Sequence, residues 1–279
     1  MRIVVTRDVD EFAAWAERFL AQRIQRNVLA TVLMRIKRGY VPGEPPTFGY
    51  GLDSQGSIAA AALRVPPWPL LVTGVVDPGE AQVLAELWLA EDPSVDAVSA
   101  EPSTARAVSR AMAAITGRRE RLRIDEAMHV LEAVAALPPP AGGAFRVAQR
   151  SDRDVLIAWE RAFVIEAGLG TAEHAARSVD RRLSASSQFL WDNACPVATA
   201  AINPAVAGTA RIGPVYTPPE HRGRGYATAV VAALSRHALR AGAERCMLFT
   251  DLANPTSNRI YARIGYRRCG DWEERLIEP

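Results

Sequence analysis

The stretch VYTPPEHRGRGYATAVVAALSRHALRAGA, Val215–Ala243, decides how the second half of the chain is interpreted. It leaves an apolar run, passes two prolines and the string RGRG, and continues as a helical pattern. A strand that enters a glycine-rich turn and then a helix directs backbone N–H groups and the positive end of the helix dipole to one spot. Gly223 and Gly225 permit conformations closed to other residues, and Arg222 and Arg224 add positive charge. The turn therefore predicts a phosphate-binding site.

The alternative interpretation of RGRG is a solvated arginine-glycine loop. Its position between a strand and a well-patterned helix favours the phosphate site. A Walker-type loop needs a lysine and a hydroxyl residue after its last glycine, whereas Tyr226 and Ala227 follow here. The GxGxxG spacing of dinucleotide-binding folds is also missing, so a nucleoside triphosphatase is disfavoured.

Composition narrows the classes of protein further. The chain has 279 residues, 49% of them apolar, which fits one large or two medium globular domains. The formal charge of +2 is scattered and indicates neither a nucleic-acid nor a membrane partner. Three cysteines without CxxC spacing predict reduced thiols and no metal site. The start MRIVVTRDVDEF lacks a secretory pattern, so we expect a cytoplasmic protein; the oligomeric state stays open.

The segment LPPPAGG, residues 137–143, is the clearest interruption and predicts a linker between domains 1–136 and 144–279. An ordinary loop within one domain is the alternative. Each half has the same order of predicted elements: a strand, helices, three strands, a helix, a strand, a helix and a closing strand. In the first half, helical patterning extends from Glu11 to Lys37. In the second, a helix is predicted from about Arg224 to Ala241, with an apolar stripe of Val230, Val231, Leu234 and Ala238 on one face. We therefore predict two copies of one α/β unit, the first diverged.

The string Arg222–Ala227 matches the signature (Q/R)-x-x-G-x-(G/A), and the second half, about Phe145–Glu278, resembles the GNAT superfamily of acyl-CoA-dependent N-acyltransferases. The resemblance implies two GNAT-like domains, each with a central mixed, mostly antiparallel sheet flanked by helices. It implies acetyl-CoA as cosubstrate, with the preceding strand pairing with the pantetheine arm. The cofactor-binding residues it implies in this region are Val215, Tyr216, Arg222, Gly223, Arg224, Gly225, Tyr226 and Ala227.

A second motif, DLANPTSNRIYARIGY, agrees with this resemblance. Asn254 is a good N-cap and Pro255 suits a first helical turn, so a helix begins there. A helical period places polar residues on one stripe and apolar residues on the next. The polar stripe comprises Asn254, Ser257, Asn258 and Tyr261, and the apolar stripe Ile260 and Ile264. The resemblance implies that Asn254 and Ser257 contact the cofactor arm and that Tyr261 protonates the departing thiolate; a half-buried packing tyrosine is the alternative.

The attacking amine needs a general base, which the sequence does not single out. Glu166 and Asp251 are the candidates, and each is alternatively a solvated or capping carboxylate. The first half has LLVTGVVDPGEAQVL where the loop should be, so no CoA site is expected there. The prediction is an acetyl-CoA-dependent N-acetyltransferase acting on a primary amine of a small molecule or peptide by direct attack on the thioester. The alternative is a non-catalytic acyl-CoA-binding regulatory module.

Overall fold

The computed structural model describes residues 1–39, 44–137, 142–168 and 172–279. They form two compact units. Unit 1 comprises residues 1–128, 251–253 and 269–279, and unit 2 comprises residues 129–250 and 254–268. Most of the predicted linker, residues 138–141, lies outside the described residues. Within the described ranges, no helix is long and apolar enough to cross a membrane.

The helices and strands follow the predicted order in both halves. They are β1 (Arg2–Thr6), α1 (Val9–Ala21), α2 (Asn27–Lys37), β2 (Thr47–Leu52), β3 (Ile58–Arg64), β4 (Leu70–Thr73), α3 (Pro78–Glu91), β5 (Ala97–Ala100), α4 (Pro102–Thr116), β6 (Arg119–Leu131), β7 (Ala144–Val147), α5 (Arg153–Glu166), α6 (Ala175–Ser184), β8 (Gln188–Asp192), β9 (Pro196–Ile202), β10 (Thr209–Tyr216), α7 (Tyr226–Arg240), β11 (Arg245–Asp251), α8 (Pro255–Ile264) and β12 (Arg267–Glu278).

The strands of each unit form a mixed sheet. In unit 1 the order is β1-β2-β3-β4-β5-β12-β6, and in unit 2 it is β11-β10-β9-β8-β7. In the described part of unit 2, β10 and β11 pair in parallel, while β7 to β10 form antiparallel neighbours. Unit 1 likewise has a parallel β4–β5 pair beside antiparallel neighbours. The predicted fold class, two units with mostly antiparallel sheets flanked by helices, is confirmed.

Helix α7 covers one face of the unit 2 sheet. Its predicted apolar stripe is fully buried and packs on β8, β9 and β10. The stripe comprises Val230, Val231, Leu234 and Ala238. Helices α5 and α6 belong to a second apolar cluster, which includes Leu190 of β8 and Tyr216 of β10. Burial on both faces fixes the sheet that carries the turn at Arg222.

The helical patterning from Glu11 to Lys37 contains a break. Helix α1 ends at Ala21, and a short 3₁₀ turn over Ile24–Arg26 precedes α2. The guanidinium of Arg26 reaches back to donate to the carbonyl of Phe19 at 2.8 Å and lies 3.5 Å from the centre of its ring. This side chain thereby satisfies a carbonyl at the end of α1, where the helix leaves acceptors without partners.

The closing strand β12 lies in the sheet of unit 1. It pairs antiparallel with β5, from Glu273 opposite Ala100 to Leu276 opposite Ala97. Ile277 is 2% exposed and packs in the core beneath α3 and α4. The boundaries of the compact units therefore differ from the predicted division at residue 144, because residues 269–279 make their sheet contacts with the first half.

Ion pairs reinforce this placement of β12. Glu273 is buried and accepts from both Arg106 of α4 and Arg275 of its own strand. The indole N–H of Trp272 donates to Ser99 Oγ of β5 at 2.7 Å. A fragment of residues 144–279 would carry these groups without their partners, so we expect it to be less soluble than the full chain.

Replacement of Ile277 by alanine tests the contribution of β12 to the core of unit 1. We expect Ile277→Ala to lower the free energy of unfolding by about 2–5 kcal/mol in urea, because a buried isoleucine leaves a cavity. The matched control is Ile165→Ala, at a side chain that is 70% exposed, where the change should be within about 0.5 kcal/mol. Equal stabilities of the two variants would show that β12 is not a core strand.

Candidate active site

Strands β10 and β11 part after three residue pairs. Their parallel pairing runs from Thr209 opposite Arg245 to Arg211 opposite Met247. Beyond that point β10 pairs with β9, with Val215 opposite Ala200. We call the gap between Ile212–Tyr216 of β10 and Leu248–Thr250 of β11 the slot. Backbone groups of β10 that point away from β9 have no strand partner here among the described residues, and an extended chain carrying amide groups could pair with them.

A bulge in β10 accounts for the parting of the strands. The register with β9 shifts between Ile212 and Val215, where Gly213 and Pro214 lie. A bulge bends its strand and increases its twist, and Pro214 has no N–H to donate to a neighbouring strand. The glycine-proline pair inside the segment ARIGPVYT is a local sequence signal from which this bulge could have been predicted.

The slot leads to the turn between β10 and α7. Gly223 and Gly225 have φ angles of 76° and 81°, in the left-handed region that glycine favours. A Cβ added to either would meet no atom within 4 Å, so both glycines face open space. In the described part of the chain no side chain caps α7, and its first backbone N–H groups point out of the helix. Arg222 and Arg224 are exposed beside them, and this combination of N–H groups and positive charge could bind an anion.

The structure brings three of the predicted site residues into contact. Glu166, the last residue of α5, accepts from Tyr216 Oη at 2.9 Å and from Arg222 Nη2 at 2.6 Å. Arg222 Nε also donates to the carbonyl of Thr217 at 2.9 Å. Burial, and next the Glu166 carboxylate, raise the pKa of Tyr216, so that its hydroxyl stays protonated and donates. Both oxygens of Glu166 are therefore engaged.

The ion pair between Arg222 and Glu166 is a surface pair. The two side chains are 47% and 45% exposed, and such pairs typically contribute about 0–1 kcal/mol. A pyrophosphate carries more negative charge than one carboxylate. An anion at the turn can therefore draw the guanidinium away from Glu166 at little cost.

Tyr226 contributes to the turn through its backbone. Its side chain is 5% exposed, belongs to the core cluster of α7, and accepts from Asn193 Nδ2 at 2.9 Å. The Ala227 side chain is partly buried one residue further on. These two residues can offer backbone N–H groups of the first helical turn to a phosphate, while the Tyr226 ring anchors the helix.

The second motif forms α8 as predicted. Asn254 caps the helix by accepting from the backbone N–H of Ser257 at 3.0 Å, and Pro255 is the first helical residue. The Oδ1 atom of Asn254 is thus engaged in capping, whereas its side chain is exposed. Ser257 is partly buried.

Tyr261 differs from its expected place on the polar stripe. It is 8% exposed, belongs to the same core cluster as Ile264, and its ring meets Tyr266 edge-on with centroids 6.0 Å apart. The helical period alone places this residue among polar neighbours, and the packing of α8 against α7 buries its ring nevertheless. The packing interpretation therefore holds for the ring, while the role of its hydroxyl stays a prediction.

Asp251 is the second candidate base from the sequence, and His221 directly precedes the turn. Asp251 is exposed at the end of β11, where its Oδ1 accepts from the backbone N–H of Ala253 at 2.7 Å, as a turn-capping carboxylate does. His221 is partly buried and lies edge-on to Tyr226, with ring centroids 6.4 Å apart.

Cys246 offers no activated nucleophile. Cys246 is fully buried, and burial raises its pKa to about 11, so it stays a neutral thiol. Cys195 is exposed and Cys269 is partly buried, and all three are free of disulfides. Among the residues that the structure describes, no cluster of His, Cys, Asp and Glu could hold a metal ion.

The corresponding helix of unit 1 is built differently. Strand β4 pairs with β5 up to Ala100, the last residue of β5, so no slot opens between them. The short connection 74–77 ends in Asp77, whose carboxylate accepts from the N–H of Glu80 at 3.0 Å and caps α3. A carboxylate occupies the place where an anion would bind, and Pro78 supplies no N–H. The Asp-Pro pair in LLVTGVVDPGEAQVL is the sequence signal for this cap.

Comparison with solved structures places the fold among GNAT acetyltransferases. A GNAT-family acetyltransferase from Colwellia psychrerythraea has a TM-score of 0.61 at 12% identity, with all of both chains covered. A GCN5-related N-acetyltransferase from Sphaerobacter thermophilus has a TM-score of 0.63 at 18% identity, over 99% of this chain and 96% of that one. A tandem GNAT protein from the clavulanic acid biosynthesis pathway has a TM-score of 0.61 at 14% identity, over 99% and 98%. Structural similarity at such low sequence identity shows that the fold is shared.

Part of the chain matches a family model in sequence. Residues 154–266 match the model of the acetyltransferase (GNAT) family, a range that includes the slot, the turn and α8. This segment of unit 2 is therefore a GNAT acetyltransferase domain by sequence, and the fold of both units is similar to that of solved GNAT structures. No curated protein matches the chain in sequence.

Replacement of Gly225 by aspartate tests the turn. We expect Gly225→Asp to weaken acetyl-CoA binding by more than about 100-fold in calorimetry, because it adds bulk and negative charge where the backbone would meet phosphate. The control is Gly242→Asp, just beyond the other end of α7, where φ is 99° and the space is equally open. Both variants carry the backbone strain of a left-handed residue, so similar affinities in the two would remove the turn from the site.

Proposed function

We propose that this protein is an acetyl-CoA-dependent N-acetyltransferase whose one site lies in unit 2, and that it acetylates a primary amine of a small molecule or peptide. The observation that carries the proposal is the slot between β10 and β11 that leads to the uncapped N-terminus of α7. A cosubstrate with an amide-bearing arm attached to a pyrophosphate suits both features. Its amide groups can pair with the backbone of β10, and its pyrophosphate can accept from the N–H groups at the start of α7.

The residues present fit this cosubstrate. Backbone N–H groups over Gly223–Ala227, with the Arg222 and Arg224 side chains, would hold the pyrophosphate. Val215 and Tyr216 would pair through their backbone with the arm, and Ser257 and the exposed side chain of Asn254 would contact it from α8. When bound, acetyl-CoA supplies a thioester whose carbonyl carbon is open to attack.

The proposed reaction is direct transfer. The amine nitrogen forms a bond to the thioester carbon, the carbon–sulfur bond breaks, the amine loses a proton and the thiolate gains one. A covalent intermediate on the enzyme would need an activated nucleophile, and the buried, neutral thiol of Cys246 does not provide it.

Tyr261 and Glu166 are the residues proposed to move these protons. Tyr261 is held in place by the core around it and by Tyr266, so its hydroxyl has a fixed position from which to donate to the thiolate. Glu166 can accept the proton of the amine once Arg222 turns from it to the phosphates of acetyl-CoA. In the free protein Glu166 instead orders Arg222 and Tyr216.

Release of the CoA thiol in the presence of a panel of amines tests the proposed function. The panel should contain small amines, amino acid derivatives and peptides with free N-termini or lysines. We expect at least one class to release thiol above the rate of hydrolysis, and Gly225→Asp to abolish that release. Tight acetyl-CoA binding without amine-dependent release would favour the alternative, a regulatory module that binds acyl-CoA without turnover.

Replacement of Tyr261 by phenylalanine tests the acid. The ring and its packing remain, so acetyl-CoA affinity should be nearly unchanged, while kcat should fall about 10²–10⁴-fold for loss of a general acid. The control is Tyr266→Phe, which removes a buried hydroxyl 2.8 Å from Ser235 Oγ and should lower stability without a comparable loss of kcat. Wild-type turnover of Tyr261→Phe, measured where chemistry limits the rate, would contradict the acid role.

A further inference from the structure

Thr250 carries a buried hydroxyl with no hydrogen-bond partner. The residue lies in β11 and is 4% exposed, and none of the described residues donates to or accepts from its Oγ1 atom. Burying an unpaired hydroxyl is destabilising, whereas valine has the same shape and an equal fit to a strand. The hydroxyl is therefore available to a hydrogen-bond partner from outside the described residues.

Thr199 of β9 shows what a paired hydroxyl looks like in the same unit. It is also 4% exposed, but its Oγ1 accepts from Gln188 Nε2 at 2.6 Å and donates to the carbonyl of Phe189 at 2.8 Å. The two threonines are thus equal in burial and differ in whether the protein satisfies the hydroxyl.

The position of Thr250 along β11 indicates what the partner is. Met247 is the last residue of β11 that pairs with β10, so Thr250 lies beside the slot. Side chains alternate along a strand, which places Thr250 on the same face as Cys246 and Leu248. Both of those residues belong to the core cluster that contains Tyr261. The unpaired hydroxyl is therefore on the face of the slot that α7 and α8 cover.

We propose that Thr250 is a binding residue for the acyl-CoA arm, whose hydroxyl hydrogen-bonds an amide group of the arm within the slot. An amide offers both a carbonyl acceptor and an N–H donor, and a threonine hydroxyl can serve either. This inference rests on the proposed function, because it takes the slot to be the place of the arm. On this proposal, the arm is bound both by the backbone of β10 and by the side chain of Thr250.

The test compares Thr250→Val with Thr199→Val in two measurements, thermal unfolding of the free protein and calorimetric binding of two probes. CoA carries the arm and the pyrophosphate, whereas ADP carries a pyrophosphate without the arm. Thr250→Val should unfold at the same or a higher temperature than the wild type, bind CoA about 3- to 10-fold more weakly and bind ADP unchanged. Thr199→Val should unfold at a lower temperature and bind CoA within about twofold of the wild type.

Four outcomes would overturn the inference. Unchanged CoA affinity of Thr250→Val would mean that the hydroxyl has no partner on the arm, and a lower unfolding temperature would mean that the protein itself satisfies it. Equal weakening of CoA and ADP would place the partner at the pyrophosphate. A wild type that binds no CoA would overturn the proposed function as well, which distinguishes the two failures.

Discussion

The structure of the site depends on the separation of two parallel neighbours in one sheet. Strands β10 and β11 pair through Arg211 and Met247, and the bulge at Gly213–Pro214 then bends β10 away. Backbone groups that lose a strand partner must find another, and buried groups without one are destabilising. The apolar packing of α7 on one face and of the cluster containing Tyr216 on the other holds the sheet in place around the opening. The slot is therefore a fixed feature of the fold, available to an extended ligand.

The two units show how one architecture keeps or loses such a site. In unit 1 the parallel pair β4–β5 is short and remains paired to its end, and the helix that follows begins with a capped turn. Asp77 supplies to α3 the negative charge that a phosphate would supply to α7, so the helix is satisfied without a ligand. Unit 1 instead takes in β12, with Glu273 paired to two arginines and Ile277 in its core. Strand β12 therefore stabilises the fold of unit 1.

Features that depend on residues close together in the sequence could be predicted from it. The glycines and arginines around Gly225, the stripe of α7 and the cap at Asn254 each depend on residues a few positions apart, and the structure places them as expected. Contacts between distant residues could not be predicted in this way: the pair of Glu166 with Arg222 and the residence of β12 beside β5 have no local pattern.

Other features lay at the limit of what a periodic pattern can show. Tyr261 falls on the polar stripe of α8 by its helical position, and only its packing shows that the ring is buried in the core. Thr250 is one polar residue in the apolar segment CMLFTD, and its lack of a partner is visible only when its neighbours are known. Conversely, the Asp-Pro pair before α3 is a local signal for a helix cap, and the Gly-Pro pair in β10 is a local signal for a β-bulge.

The stoichiometry of acetyl-CoA binding tests the central claim. Among the described residues, an open slot followed by a helix without a side-chain cap occurs at β10–α7 of unit 2 and not at the corresponding β4–α3 of unit 1. A calorimetric titration of the full chain should give one site per chain. Two sites of comparable affinity, or one site that survives unchanged when Arg222 and Arg224 are both replaced by alanine, would contradict it.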